Sequence, residues 1–159
     1  MSLLVIGSVA FDDIETPFGR AEKIVGGAGT YIAWSASYFF RDILLVSVIG
    51  EDFPTEELQA LRQRGVDTSG IQIIPGGKSF FWAGKYHHNL NARDTLVTDL
   101  NVLADFDPVL PPYYRDSDFV MLGNLTPSVQ MRVIDQLDVH PKLPALVTMN
   151  YWISSALVE

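Results

Sequence analysis

Gly26-Gly27-Ala28-Gly29-Thr30-Tyr31 is the stretch on which the reading of this chain turns. Three glycines in four positions let the backbone turn tightly and approach a neighbour with no Cβ in the way. Behind them Ile32, Ala36, Phe39 and Phe40 fall at i, i+4, i+7 and i+8, which predicts an amphipathic helix ending near Arg41 and Asp42. The first N–H groups of such a helix have no partner within it and are able to meet ligand oxygens. The stretch is therefore either a binding floor or a close-packing turn, and its surroundings decide between the two.

Upstream, Leu3-Leu4-Val5-Ile6 is a short apolar run closed by Gly7-Ser8, the pattern of a strand buried on both faces of a parallel sheet. Ligand sites lie just past such strand ends. There the chain places Val9-Ala10-Phe11-Asp12-Asp13-Ile14, two carboxylates beside apolar residues. Downstream, Ile43 to Ile49 repeats the buried-strand pattern. Pro54, Glu56 and Glu57 then open a helix whose Leu58 and Leu61 form its buried stripe and which Gly65 ends. Ile71 to Ile74 reads as a further strand. The alternation of strands and helices predicts an α/β fold with a mostly parallel sheet.

A different texture follows Pro75-Gly76-Gly77. Phe80-Phe81-Trp82-Ala83-Gly84-Lys85-Tyr86 is aromatic and β-prone, and a second extended piece is expected after Asn91 to Thr95. Together these predict an antiparallel flap, which with the region around residues 11–25 forms a small sheet hinged over the opening. Its aromatics are placed to stack on a ligand, to pack within the sheet, or to bury against a second subunit. The neighbouring His87 and His88 point to opposite faces of a strand and do not serve one ion together, so no metal site is predicted. Phe119 to Leu122 is another buried strand, ending in Gly123-Asn124. Thr126 as N-cap and Pro127 as first helical residue start a helix with Val129, Val133, Ile134 and Leu137 facing inward. Ala145 to Met149 is expected to be the last strand, with Asn150-Tyr151-Trp152 at its carboxyl end.

With 159 residues, 48% of them hydrophobic and 19% charged, the chain suits one globular domain with a sizeable core. No run approaches the ~18 apolar residues of a membrane span, and the opening apolar run is too short for a signal peptide, so a cytoplasmic location is expected. The absence of cysteine excludes disulfides, thiolate metal sites and a cysteine nucleophile. A net charge of −8 disfavours nucleic acid and anionic membranes as partners and leaves small molecules as the expected ligands.

Taken together, these pieces resemble the amino-terminal half of the ribokinase-like, PfkB-type carbohydrate kinases. The matching residues are Gly7-Ser8-Val9-Ala10-Phe11-Asp12, Gly26 to Tyr31 with the helix behind them, and Val48-Ile49-Gly50-Glu51-Asp52 with Gly65-Val66-Asp67-Thr68. The resemblance spans essentially the whole chain. It implies a partial doubly wound, Rossmann-like sheet with helices on both faces and a small β-sheet lid, built from segments roughly 11–25 and 78–100. Residues 1–159 would form the substrate-binding half of one α/β domain, with the carboxyl-terminal nucleotide-binding half absent.

The resemblance also assigns roles. Asp12 would accept hydrogen bonds from sugar hydroxyls, Gly26 and Gly27 would line the sugar floor, and Asn124 is carried over as a hydroxyl ligand. Tyr31 stands where the family usually carries an asparagine, and offers a hydroxyl or a ring that stacks on a sugar or a nucleoside. A carboxylate takes two neighbouring hydroxyls, each charge-assisted bond being worth about 1.5–3 kcal/mol, which suits a neutral sugar or polyol. A homodimer through the lid is expected. ATP and magnesium are expected for a full-length parent and not for this chain. The family's second glycine motif ends in an aspartate that acts as base beside charge-stabilising N–H groups, whereas here Thr30 follows Gly27-Ala28-Gly29. The asparagine-and-glutamate motif associated with magnesium is likewise missing from the sequence. No catalytic, cofactor-binding or metal residue is assigned, and the chain alone is expected to be inactive. Two alternatives are a non-catalytic sugar- or nucleoside-binding module of the same fold and a nucleotide-binding Rossmann domain. For the latter, the glycine spacing departs from G-x-G-x-x-G and the stretch does not directly follow a core strand.

Overall fold

Strand β1 (Ser2–Ile6) lies at the centre of the larger sheet, and its Leu4, Val5 and Ile6 are fully buried, as expected for a strand covered on both faces. The computed structural model describes residues 1–156. To one side of β1 lie β4 (Asp42–Gly50) and β5 (Val66–Ile74); to the other lie β8 (Phe119–Leu122) and β9 (Leu143–Leu146). All four pairings in this order, β5-β4-β1-β8-β9, are parallel. Helices α1 (Ala28–Ala36) and α2 (Thr55–Gln63) cover one face, where Ala33, Leu58 and Leu61 pack on Leu3, Val5, Ile43 and Leu45. Helix α3 (Pro127–Ile134) covers the other, where Val129 and Val133 meet Leu4, Ile6, Val120 and Leu122. The fold is therefore a doubly wound α/β sheet, as the sequence implies.

A second, four-stranded sheet stands apart, in the order β3-β2-β6-β7, formed by β2 (Ala10–Thr16), β3 (Gly19–Gly26), β6 (Phe80–Tyr86) and β7 (Arg93–Asp99). The β6–β7 pair is antiparallel, but β6 joins β2 in parallel, so this sheet is mixed. Its roots are at the carboxyl ends of β1 and β4. At the β4 root, the buried Ser79 gathers four bonds. Its N–H and Oγ both donate to Asp52 Oδ1 at 2.8 and 2.7 Å, its Oγ accepts from the Gly50 N–H at 3.0 Å, and its carbonyl accepts from Asn101 Nδ2 at 2.9 Å.

Three elements differ from expectation. Helix α1 ends at Ala36, and tight turns follow in which the Phe39 and Phe40 N–H groups both donate to the Ala36 carbonyl. Phe40 still reaches the core, meeting Phe119 edge-on at 5.7 Å, whereas Phe39 is 86% exposed. In α3, Ile134 is partly exposed and Gln130 is buried in its place, its amide donating to the carbonyls of Gly123 and Val147. The last strand runs over Leu143–Leu146, earlier than the expected 145–149. As an edge strand it leaves Leu143 and Leu146 exposed, and Asn150–Ser155 forms a short helix, α4, rather than a strand end. Pro144 is tolerated there because an edge strand has ladder positions that need no donor.

Candidate functional site

In the larger sheet the strand order places β8 beside β1, while their connections lead to helices on opposite faces. Adjacent loops diverge there, which makes the carboxyl ends of β1 and β8 a topological switch point, the position where open α/β sheets take their ligands. The backbone closes on itself at this point. Gly123 N–H donates to the Ile6 carbonyl at 2.6 Å, and a Cβ on Gly7 would lie 2.5 Å from the Gly29 nitrogen.

The three glycines of the opening stretch divide three tasks. Gly29 packs backbone to backbone against Gly7, the close-packing role. Gly27 holds φ 94° and makes the turn into α1, a conformation in which any Cβ would be strained and here would also strike the Ser8 carbonyl. Gly26 faces the Asp12 carboxylate, which occupies the space its side chain would fill. The helix start is less open to ligand oxygens than the sequence suggests. Ser8 Oγ accepts from the Ala28 N–H at 3.1 Å and the Ser8 carbonyl from the Gly29 N–H at 2.9 Å, so the end of β1 caps α1.

Asp12 is half-buried beside this floor, and among the described residues its carboxylate accepts no hydrogen bond. Burial without a compensating donor pushes its pKa up to about 6. Its neighbour Asp13 is engaged, accepting the Lys23 N–H at 2.6 Å and facing Arg20 at 3.6 Å. Asp12 is thus a carboxylate with acceptor capacity unused and a glycine floor beneath it.

The remaining expected site residues are placed elsewhere or are already occupied. In the β2–β3 ladder Asp12 pairs with Ile24 and Phe11 with Val25, so alternation puts Asp12 and Val25 on opposite faces. Tyr31 turns to the Val25 side, donating its hydroxyl to the Val25 carbonyl at 3.0 Å. There it lines a separate cavity of about 170 Å³ with Thr30, Trp34, Phe53 and Glu57. The structure does not bring Tyr31 together with Asp12. Asn124 follows Gly123 past the carboxyl end of β8, but its amide is held at both ends: Oδ1 accepts from Trp152 Nε1 at 3.0 Å, and Nδ2 reaches Met149 Sδ at 3.2 Å. His87 pairs with Asp94 at 3.1 Å, and with His88 it borders an open groove at the outer end of the small sheet. No group of three or more His, Cys, Asp or Glu fit to hold a metal ion occurs among the described residues.

No protein-family model matches the chain. It is 33% identical over 138 residues to a cytidine kinase from Thermococcus kodakarensis, covering 86% of this chain and 48% of the relative. A ribokinase from Cryptococcus neoformans var. grubii, solved with ADP, superposes with a TM-score of 0.71 at 17% identity over 91% of this chain and 49% of its own. A nucleoside kinase from Burkholderia thailandensis, solved with inosine, superposes with a TM-score of 0.65 at 14% identity over 86% of this chain and 49% of its own. The chain spans about half the length of the relatives it matches. It has the fold of the ribokinase-like, PfkB-type kinases and is similar to their amino-terminal half. Among the described residues, no helix is long and apolar enough to cross a membrane.

Proposed function

We propose that the chain is the acceptor-binding half of an ATP-dependent kinase that phosphorylates a sugar hydroxyl, with Asp12, Gly26 and Gly27 forming the sugar floor. The observation that carries this reading is the Asp12 carboxylate, half-buried, packed against Gly26 and, among the described residues, without a donor. Ionised, it accepts two neighbouring hydroxyls and orients the sugar, while the backbone of Gly26 and Gly27 forms the surface on which the ring lies. The small sheet, residues 11–25 and 78–100, acts as a lid whose closure excludes water. The relatives named as cytidine and nucleoside kinases favour a sugar that is part of a nucleoside. Asn124 joins the floor only where its bonds to Trp152 and Met149 are exchanged for ligand hydroxyls, and Tyr31 only where its side chain leaves Val25.

ATP and magnesium belong to the whole kinase. The residues here do not fit a nucleotide phosphate at the glycine stretch, because Ser8 already takes the Ala28 and Gly29 donors, and the described residues hold no cluster of three or more metal-ligating side chains. No transfer step is assigned to this chain, which binds acceptor without turnover by itself. The chain pairs as a homodimer through an open sheet edge, and the protein works in the cytoplasm. Calorimetric titration of the purified 159-residue chain with ribose and with cytidine tests the reading. Binding that Asp12→Asn weakens tenfold or more, with no ATP hydrolysis, is expected; no binding of either ligand, or turnover by the chain alone, overturns it.

A further inference from the structure

The lid carries an aromatic side chain directly beside the Asp12 position. Strands β2 and β6 run parallel with Asp12 opposite Trp82 and Ala10 opposite Phe80. Residues in register project from the same face, on strands roughly 4.8 Å apart. Their neighbours Phe11 and Phe81 project from the other face and pack in the core with Phe53. Trp82 therefore shares the ligand side of the lid with the carboxylate. Its ring is fixed there: it lies across Gly84, where any Cβ would collide with the indole, and it meets Tyr86 edge-on at 6.5 Å. The Arg93 guanidinium lies over the indole ring, 5.9 Å from its centroid, so a base that stacks on that face takes the place of this exposed, flexible cation. Trp82 remains half-buried and does not enter either core cluster.

We propose that Trp82 is the specificity-determining residue of the acceptor site, a stacking platform for the flat base of a nucleoside whose ribose hydroxyls bind Asp12. The inference rests on the sugar-floor reading of Asp12 and supplies the second part of the ligand. An indole presents a broad π-face, and stacking on it tolerates any base because every base has such a face. A free sugar engages only the floor and leaves the platform uncovered. Discrimination between nucleoside and sugar then lies in one side chain of β6, and not in the glycine stretch.

The experiment compares cytidine, adenosine and ribose on the full chain, by calorimetry and by tryptophan fluorescence. Stacking predicts that both nucleosides bind more tightly than ribose and quench fluorescence, whereas ribose does not. Trp82→Ala is expected to weaken the nucleosides roughly tenfold or more while leaving ribose within twofold. Trp82→Phe keeps a ring, so it is expected to retain most nucleoside affinity while removing the quench, with Trp34 and Trp152 still emitting. This second variant decides the matter if Trp82→Ala melts early. Ribose binding as tight as that of the nucleosides, a quench that survives Trp82→Phe, or an equal loss for ribose and nucleosides in Trp82→Ala overturns the platform and leaves the sugar floor standing. Failure of all three ligands to bind overturns the floor itself, and the platform with it.

Discussion

Asp12 sits partly desolvated, with no donor to compensate, and this has a signed effect on stability. Its pKa is raised from 3.8 to about 6, so the folded protein holds this proton more tightly than the unfolded chain does. The contribution is fully present below about pH 4 and is lost as pH rises through about 6. Asp12→Asn is therefore expected to stabilise the ligand-free chain at pH 7.5. A shift of this size corresponds to about 3 kcal/mol at most, and discounting for the partial exposure of the carboxylate leaves roughly 1 kcal/mol. Thermal melts of both proteins from pH 4 to 8 check this: the advantage of the variant should shrink as pH falls through 6 and vanish near 4. An advantage independent of pH would mean that the carboxylate is not the cause. At this scale the sequence is informative where position alone matters. Asp12 and Gly26 are readable from a strand end and a glycine run. The direction of Tyr31 is not, because helical spacing gives the side of α1 from which the side chain leaves but not the carbonyl its hydroxyl reaches. Nor is the neighbour of Asp12 readable, since the β2–β6 register depends on strands far apart in the chain.

At the scale of elements, the apolar pattern locates strands well and ends them poorly. Strands β1, β4 and β8 lie where continuous apolar runs predict them. Helix α1 is overextended in the sequence reading because Phe40 reaches the core through a turn that mimics the helical period. Strand β9 is misplaced because Leu143 to Met149 offers more apolar residues than its four ladder positions use. The root of the lid has no sequence signal of its own, as Ser79 becomes important only once Gly50, Asp52 and Asn101 converge on it. Ser79→Ala removes the hydroxyl from Asp52 and leaves the Gly50 N–H unpaired in a buried place, at a cost of about 1–3 kcal/mol. Because this bond joins β6 to the end of β4, the loosening should be local. Hydrogen exchange is expected to accelerate in β6 and β7 while β1 amides keep their protection. Equal acceleration in β1 and β6 would show a general loss of stability and remove Ser79 from its place as the lid's anchor.

For the whole molecule, the question is what the open sheet does with its edges. Strand β9 ends the five-stranded order, so among the described residues one side of its backbone has no ladder partner. Leu143 and Leu146 are 58% and 60% exposed on it, and Val147, Met149 and Ile153 extend the apolar surface beyond it. An unpaired, apolar edge is a template for another strand. The lid offers a second surface, with Leu96 and Val97 exposed on the edge strand β7, but Arg93, Asp94 and Asp99 of the same strand place charged side chains along it. Pairing two lid edges desolvates these charged side chains, a cost that two leucine-bearing β9 edges do not meet. Self-association of the purified chain is therefore expected to run first through β9. Light scattering during size-exclusion chromatography should show a mass that rises with concentration. Leu146→Lys, which sets a charge on that edge, should shift the chain toward monomer, while Leu96→Lys should change it little. The reverse ranking would place the contact at the lid, and a monomer at every concentration would show that neither edge is exposed enough to pair.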